Sequence, residues 1–309
     1  MSKAPFPIDP HLTAIAIGYT NAALIADQVL PRLPVGKAEF KYWSFPVAEA
    51  FTVPDTLIGR RSKPNEVEFS AVEATASTED YGLDDVVPQS DIDNAPPNYS
   101  PLDRATMGVT DLVLLDREIR VANKVFNAAS YPAANKTTLS GTSQWSHADS
   151  NPISAILTGM DAALTRPNVL LFGQGAWTIF RQNPKIVSAC LGNSGDKGIA
   201  TRQQVAELFE VEEVIVGAAR VNTARKGQAA SFTRTWGKHC LAFHRDQLAS
   251  AASPRPTFGA TFQFGTRVSG STPEPNVGLR GGQRVRAGES VKELLLATQA
   301  AFFWENAVG

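Results

Sequence analysis

The sequence predicts an α+β fold in which extended segments flank one long helix and a compact α/β unit. Three observations predict it. Residues 35–76 alternate apolar and polar side chains on both sides of a long proline-containing loop, as paired strands do. Residues 101–130 repeat apolar side chains at steps of three and four, which is typical of a helix. Residues 151–254 mix short apolar runs with helical patterns, which indicates a small mixed sheet with helices.

The bulk composition is that of a globular chain, long enough for one large domain or two medium ones. The chain has 309 residues, of which 43% are hydrophobic and 19% charged, and its formal net charge is -1. This charge balance does not indicate a protein that binds nucleic acid or membranes by bulk electrostatics. Two cysteines, Cys190 and Cys240, do not make a disulfide framework, which favours a reducing compartment. No apolar run reaches the roughly 18 residues of a membrane span, and no signal peptide is recognised.

Residues 1–34 are predicted to form an arm that precedes the body of the protein. Pro5, Pro7 and Pro10 favour extended backbone at its start. Helical spacing of small and apolar residues predicts a short helix before Pro31. An arm with little core of its own either frays or orders against a partner.

Residues 35–76 are predicted to form an extended hairpin loop. Phe40, Tyr42 and Trp43 lie in its first strand, and an alternating stretch over 66–71 supplies the second. A two-stranded hairpin alone is marginal in water, and loops longer than about 12–15 residues are usually functional or disordered. The hairpin is therefore expected to pack on the body of its own chain or across another chain.

Residues 78–100 are acidic and rich in turn-forming residues, and five aspartates cluster there. The spacing of a calcium-binding loop is absent. The segment is therefore predicted to be a solvated connector or a surface that faces a basic patch.

Residues 101–130 are predicted to form one long helix that opens on a Ser-Pro pair and ends before a proline. Asp116 and Arg120 form a favourable pair on the solvent side. The predicted apolar stripe consists of Leu102, Ala105, Val109, Leu112, Ile119, Ala122, Phe126 and Ala129, and it is widened by Val113 and Val125. At about 1.5 Å per residue the helix is roughly 43 Å long. A helix of this length can act as a strut for a whole subunit.

The second half of the sequence is predicted to contain a small mixed sheet with helices over 151–254, and a return to extended structure over 255–309. A buried strand, a glycine turn and a helix are expected in "RPNVLLFGQGAWTIFRQNPKI". The apolar run Leu294–Trp304 is too short to span a bilayer and is expected to lie in a core sheet.

The sequence shows no catalytic, cofactor-binding or metal-binding constellation. The His-Arg-Asp triplet at 244–246 lacks the other kinase motifs, and the Gly-Gln-Gly turn at 173–175 lacks the third glycine of a dinucleotide-binding loop. His239 and Cys240 face opposite sides of a predicted strand. Nothing in the sequence places a base beside Cys190. We therefore expect no enzyme, no cofactor and no metal site.

The order of these segments resembles that of the major capsid proteins of tailed bacteriophages, whose fold is often called the Johnson fold. The stretch "RPNVLLFGQGAWTIFRQNPKI" is similar to the strand and helix of the family's axial domain. The stretch "GLRGGQRVRAGESVKELLLATQAAFFWENAV" resembles its C-terminal strand pair. The resemblance implies an N-terminal arm, an extended loop, a peripheral domain with a long spine helix, an axial α/β domain and a return to the peripheral domain. Their bounds would be 1–34, 35–76, 77–150, 151–254 and 255–309.

The resemblance also implies a function. A major capsid protein assembles into hexamers and pentamers, which form the icosahedral head around double-stranded phage DNA. The partners would be further copies of the chain, a separate scaffolding protein, a portal, a decoration protein where one is present, and the packaged DNA, which is contacted without sequence specificity. Assembly would take place in the host bacterial cytoplasm, without a membrane, and the product would be the virion capsid.

The extended loop would carry the contacts between subunits. The predicted inter-subunit contact residues are Phe40, Tyr42, Trp43, Arg60 and Arg61. The aromatic residues would bury an apolar face between chains, and the two arginines near the loop tip would meet Asp84, Asp85 or Asp91 of another subunit. Such peripheral charge pairs set register more than they add affinity.

Two alternatives stay open at this stage. The same fold occurs in encapsulin shells, which enclose an enzyme cargo, so the fold alone does not decide between DNA and protein contents. A small-molecule enzyme built on the unit at 151–254 would instead form a small oligomer and have a polar pocket near the Gly-Gln-Gly turn at 173–175.

Overall fold

Two β-sheets of four and five strands form the framework of the computed structural model, which describes residues 6–44, 52–67, 72–192, 198–246 and 257–309. The strands are β1 (Arg32–Val35), β2 (Glu39–Ser44), β3 (Val72–Ser77), β4 (Glu79–Pro88), β5 (Lys136–Thr138), β6 (Val169–Gly173), β7 (Glu213–Gly217), β8 (Arg220–Asn222), β9 (Phe232–Arg234), β10 (Cys240–Phe243), β11 (Gly259–Glu274), β12 (Gly282–Leu295) and β13 (Ala301–Glu305). The α-helices are α1 (Pro10–Gly18), α2 (Ala26–Val29), α3 (Gln89–Asp93), α4 (Pro101–Val125), α5 (Pro152–Ala162), α6 (Gln174–Phe180), α7 (Pro184–Leu191) and α8 (Arg202–Phe209).

The first sheet has the strand order β1-β11-β12-β4 and packs against helix α4. Strands β11 and β12 form an antiparallel hairpin of 16 and 14 residues. Strand β4 pairs with β12, so the prediction of a solvated connector is wrong for Glu79–Pro88. Two acidic side chains of β4, those of Glu79 and Asp84, pair with basic side chains of β12, as the second alternative for this segment expected. Arg286, for example, donates to both carboxylate oxygens of Asp84 at 2.6 and 2.8 Å.

Helix α4 is the predicted long helix, and it is shorter than expected. It has 25 residues, which at about 1.5 Å per residue makes it about 38 Å long. Its N-cap is Ser100, whose side chain accepts a hydrogen bond from the backbone of Asp103 at 3.3 Å. The predicted last turn is instead a 3-10 turn, because Asn127 accepts a hydrogen bond from the backbone of Ala129 at 2.9 Å. Such local bonds compete with the helical pattern.

The buried stripe of α4 differs from the predicted one. Leu112 is 54% exposed and Ile119 is only partly buried, whereas Arg117 and Glu118 are 1% and 0% exposed. The buried positions advance in steps of four, and they are Ala105, Thr106, Val109, Thr110, Val113, Leu114, Arg117, Glu118, Val121, Ala122 and Val125. Five residues of the predicted stripe are among them, namely Ala105, Val109, Val113, Ala122 and Val125, whereas the charged Arg117 and Glu118 were not expected on the buried face.

The second sheet has the strand order β5-β13-β10-β6-β7 and is the core of the α/β unit. In β6, Leu170 and Phe172 pack in one apolar cluster, and Val169 and Leu171 pack in another on the opposite face. Because both faces are covered, the strand is a continuous apolar run. The predicted strand, glycine turn and helix are confirmed as β6 and α6.

The last strand, β13, lies in the second sheet and not in the first. It pairs with β10 on one side and with β5 on the other, which differs from the predicted return of 255–309 to one peripheral unit. Phe302 and Trp304 pack on one face of the sheet, and Ala301 and Phe303 on the other. A strand that is apolar on both faces requires a sheet that is covered on both faces, which the second sheet provides.

The N-terminal segment packs on its own chain from residue 6 onward. Helix α1 begins after Asp9, whose side chain accepts hydrogen bonds from the helix backbone, and it buries Leu12 and Ala16. The hydroxyl of Thr13 donates to the backbone oxygen of Ser269 on β11 at 2.8 Å. The expectation of a frayed arm is therefore wrong for these residues, while residues 1–5 lie outside the described part of the chain.

The Gly-Gln-Gly turn between β6 and α6 is a place of close backbone approach. A Cβ atom on Gly173 would collide with the backbone oxygens of Trp236 and Gly237, whereas one on Gly175 would meet no atom nearer than 3.7 Å. The turn is therefore packed at Gly173 against the backbone of its own chain.

The variant Gly173→Ala should lower the free energy of unfolding by about 1–3 kcal/mol, because rigid backbone must move to admit the methyl group. Gly175→Ala is the matched control and should stay within about 1 kcal/mol of the wild type. Urea denaturation followed by circular dichroism measures both. Equal stability of the two variants would contradict the close approach at Gly173.

Candidate assembly surface

The base of the predicted extended loop is the hairpin of β2 and β3, and it packs on its own chain. Phe40 lies opposite Ala76 in the antiparallel pair. Its ring is 8% exposed and stacks on Phe262 of β11, with the ring centroids 4.6 Å apart. Tyr42 lies 6.1 Å from the same ring. These contacts fix the base of the hairpin to the first sheet.

The described residues of the second strand, Val72–Ser77, follow the stretch 66–71 that the sequence predicted for it. Pairing runs from Glu39 opposite Ser77 to Ser44 opposite Val72. Of the predicted stretch 66–71, residues 66 and 67 are not in a strand, and 68–71 lie outside the described residues. Trp43 is a member of β2 opposite Glu73, and its side chain also lies outside what the structure describes.

The tip of the loop, residues 52–67, is exposed at every position. Val53 is 80% exposed and Leu57 is 85% exposed. The carboxylate of Asp55 accepts a hydrogen bond from the backbone of Leu57 at 2.9 Å, and Asn65 donates to the backbone oxygen of Asp55 at 2.7 Å. The loop is thus shaped by bonds within itself, while its apolar side chains face water.

Arg60 and Arg61 lie in the turn at the loop tip, which a hydrogen bond from the backbone of Ser62 to the oxygen of Gly59 closes at 2.9 Å. Both arginines are exposed, and neither forms an ion pair within the described ranges. Exposed apolar side chains beside free charges are typical of a surface that binds another protein. Whether these residues and the aromatic ones contact a neighbouring subunit stays a prediction.

The three acidic residues predicted to pair with these arginines differ in whether they are already paired within their own chain. Asp84 is already bound by Arg286 and Arg284 of its own chain, and the hydrogen bond from Arg286 is the main cause that lowers the pKa of this carboxylate. Asp85 and Asp91 are exposed. Of the three acidic residues, these two are therefore the better candidates for a contact between subunits.

A buried group of charged residues ties residues 25–32 to the body of the subunit, and it was not predicted from the sequence. The guanidinium of Arg117 donates to Asp27 at 2.6 Å and to the hydroxyl of Thr261 at 2.9 Å. It also donates to the backbone oxygen of Leu30 at 3.3 Å. One side chain of α4 thus holds α2 and β11 in place. A signal existed in the sequence: Arg117 continues the four-residue steps of the apolar stripe.

Two buried glutamates complete this group. Glu289 of β12 accepts from Arg32 at 2.7 Å and from Arg267 at 3.2 Å. Glu118 accepts from the backbone of Ile25 at 3.0 Å and of Ala26 at 2.7 Å, at the start of α2. It also accepts from the indole nitrogen of Trp236. A carboxylate at a helix start satisfies backbone donors that would otherwise lack partners.

The pKa values of the group follow from burial and from neighbouring charges. Burial alone would raise the pKa of Asp27, but the charges of Arg117 and Arg32 outweigh it and lower that pKa. Burial raises the pKa of Glu118 despite the hydrogen bonds that it accepts. A cavity of about 10 Å³ is lined in part by Arg267, which is room for about one water molecule and not for a substrate. The arrangement of these charged groups therefore serves to hold the fold together.

Cys190 and a groove between α5 and α7 are the other features to consider for catalysis. Burial raises the pKa of the Cys190 thiol, which is opposite to what an activated nucleophile needs. A groove of about 730 Å³ lies between α5 and α7, and its charged lining residues are Asp161 and Lys185. Over the residues that the structure describes, no group of three His, Cys, Asp or Glu side chains could hold a metal ion, and no helix is long and apolar enough to cross a bilayer.

Comparison with known proteins identifies the family. A family model described as phage major capsid protein E matches residues 116–235. The chain is 58% identical over 308 residues to the major capsid protein of Pseudomonas phage JBD67, which covers 100% of this chain and 99% of that protein. The chain belongs to the phage major capsid proteins. The major capsid protein of Burkholderia phage BcepMu is 28% identical, over 96% of this chain and 95% of that protein.

Solved structures show the same capsid fold. A phage-related protein from Bordetella bronchiseptica RB50 aligns with a TM-score of 0.75 at 24% identity, over 98% of each chain. The capsid of cyanophage P-SCSP1u aligns with a TM-score of 0.59 at 10% identity, over 93% of this chain and 90% of that chain. A virus-like particle from Pyrococcus furiosus aligns with a TM-score of 0.51 at 11% identity, over 95% and 96%. The predicted Johnson fold is confirmed, and the 58% identity to a phage protein favours the capsid function over the encapsulin alternative.

The variant Asp27→Asn should lower the free energy of unfolding at pH 7 by about 1–3 kcal/mol, because the buried Arg117 loses a charged partner. The folded state lowers the pKa of Asp27, so this carboxylate stabilises the fold above its ordinary pKa of about 3.9. That stabilisation is lost as the pH falls through the lowered pKa. The difference between variant and wild type should therefore shrink below about pH 4.

The matched control is Asp116→Asn, which removes the exposed ion pair with Arg120 on the same helix. It should change the free energy of unfolding by no more than about 0.5 kcal/mol. Guanidinium denaturation at a series of pH values measures both variants. If Asp27→Asn costs no more than Asp116→Asn at pH 7, the buried group does not hold α2 in place.

Proposed function

We propose that the chain forms hexamers and pentamers that close into the icosahedral head of a phage around double-stranded DNA. Membership of the capsid family supports a shell built from copies of this chain. The observation that supports the arrangement of the copies is the loop tip 52–67, whose exposed apolar side chains have no cover on their own subunit. Soluble proteins rarely leave such side chains clustered in water unless a partner covers them.

The extended loop of one subunit lies on its neighbour in this proposal. Subunits of a ring meet head to tail, so each copy offers one surface and receives a different one. Phe40 anchors the base of the loop to its own subunit. Val53, Leu57 and Ile58 supply the apolar contact with the neighbouring subunit. Arg60 and Arg61 then meet acidic side chains of the neighbour, for which Asp85 and Asp91 are available.

The two sheets correspond to the two domains of a capsid subunit. We assign the first sheet with α4 to the peripheral domain and the second sheet with α5–α8 to the axial domain. Strands β5 and β13 belong to the axial domain by this assignment, because they pair within the second sheet.

The further partners belong to the same proposal. Shell growth would use a separate scaffolding protein, a portal at one vertex and, where present, a decoration protein. The inner wall would touch packaged DNA without reading its sequence, which the formal net charge of -1 supports because a strongly basic wall would bind nucleic acid during assembly. Assembly would occur in the host bacterial cytoplasm. The role is structural and not enzymatic.

The wild-type protein, produced in bacteria and purified, should form closed shells, rings of five or six copies, or tubes. Multi-angle light scattering gives the particle mass, and negative-stain electron microscopy gives the shape. Nucleic acid or protein inside native particles then separates a phage head from an encapsulin. A stable monomer or dimer at high concentration, even with its scaffolding partner present, would contradict the proposed function.

The double variant Leu57→Ser with Ile58→Ser should prevent assembly while leaving the subunit as stable as the wild type. These side chains are exposed in the subunit, so unfolding should shift by less than about 0.5 kcal/mol. Each side chain is expected to become buried only between subunits. The fraction of protein in particles, measured by sedimentation, should fall at least about tenfold.

The control is Leu164→Ser, which removes another exposed apolar side chain, 42% exposed, that lies after α5 and outside the loop. It should assemble normally. Normal shells from the Leu57 and Ile58 variant would show that the loop tip is not an assembly contact.

A further inference from the structure

The hairpin of β8 and β9 forms a basic surface that takes no part in the proposed contact of the extended loop. The sequence contains no acidic residue between Glu213 and Asp246. Five basic residues lie within this interval on or beside the hairpin, and all are exposed: Arg220, Arg225, Lys226, Arg234 and Lys238. None of them forms an ion pair with an acidic residue in the described part of the chain. Their charges are therefore free to attract a partner.

The hairpin is also structurally separate from the main sheets. It is a two-stranded sheet of three residue pairs, and such a hairpin has little stability of its own. The side chain of Asn222 accepts hydrogen bonds from the backbone of Ala224 at 3.1 Å and of Ser231 at 2.9 Å, which shapes the connecting loop. Phe232 is 65% exposed in the middle of this basic surface. An exposed aromatic ring among charges is typical of an interface.

An acidic surface lies at the other end of the same domain. Glu207, Glu210 and Glu212 are exposed around the end of α8, just before β7 begins. Of these, Glu210 pairs with Arg166 at 3.3 Å. Strand β7 has five residues, about 16 Å at about 3.3 Å per residue, and the basic hairpin follows its other end. The strand keeps the two surfaces apart, so they cannot neutralise each other within one subunit.

We propose that the β8–β9 hairpin of one copy docks on the acidic end of α8 of the next copy. This proposal rests on the proposed function, in which copies form rings. A ring contact joins two different surfaces of the same chain, and these two have opposite charge and lie at opposite ends of one strand. Opposed charges steer the encounter and fix the register, and Phe232 supplies the apolar contact at the centre.

A second copy of the chain explains these surfaces better than nucleic acid does. The counter-surface is present on the chain itself, and the net charge of -1 leaves no basic excess overall. Hairpins that came together in a ring without acidic partners would repel one another. Binding to the DNA backbone needs no acidic surface on the same domain, so it leaves Glu207, Glu210 and Glu212 without a role.

Charge reversal tests the proposal. One double variant, Arg225→Glu with Lys226→Glu, reverses the tip of the hairpin, and a second, Glu207→Lys with Glu212→Lys, reverses the acidic surface. A third protein combines all four substitutions. The control, Arg104→Glu with Lys185→Glu, makes the same change in net charge as the first variant at two other exposed basic residues. Each protein is compared with the wild type for particle yield by sedimentation and electron microscopy.

Each double reversal should reduce the particle yield at least about tenfold, since like charges then face each other. The fourfold variant should restore most of the yield, because the attraction is rebuilt with the signs exchanged. The control should assemble as the wild type does. Circular dichroism and thermal melting of the subunits show that each variant is folded.

Normal particles from both double reversals would overturn the proposal, while the proposed function would stand. Loss of assembly without rescue in the fourfold variant would overturn the pairing of these two surfaces. Particles that form normally but no longer retain a double-stranded DNA fragment in the hairpin variant would assign the hairpin to nucleic acid instead. A wild type that never assembles would overturn the proposed function together with this inference.

Discussion

The charge of Arg117, buried on the longest helix, is the constraint on which the rest of the subunit depends. A guanidinium at 1% exposure is costly to bury, and it is tolerated because Asp27, Thr261 and the backbone of Leu30 surround it. These partners come from segments far apart in sequence. Arg117 therefore joins the first sheet, the long helix and the segment around α2 at one point. Removal of one partner would leave a buried charge without compensation, which is strongly destabilising.

The loop between β2 and β3 has the opposite character. Its base is held by the stacking of Phe40 on Phe262, while residues 52–67 are exposed at every position. The same subunit thus combines a base that is buried on its own sheet with a tip whose apolar side chains are left for a partner to cover.

The sequence predicts well wherever burial follows a regular period. The α4 helix and the strand and helix at β6 and α6 were predictable from apolar spacing. The Johnson fold was predictable only through the resemblance of the segments and their order to a known family. The prediction failed where polar groups are satisfied by distant partners. Arg117 and Glu118 are charged, so apolar spacing does not place them on the buried face of α4. The acidic β4 does not read as a strand because the basic residues that pair with it lie some 200 positions later. The contact residues of the loop depend on a second chain, which one sequence cannot display.

The position of β13 has a consequence for how the subunit is made on the ribosome. This strand lies second in the five-stranded sheet, between β5 and β10, yet it is synthesised more than 50 residues after β10. Domains usually fold as their residues emerge, but this sheet lacks an interior strand until residues 301–305 have been made. A nascent chain that stops before them leaves the edge of β10 without its partner strand, so the sheet cannot be completed.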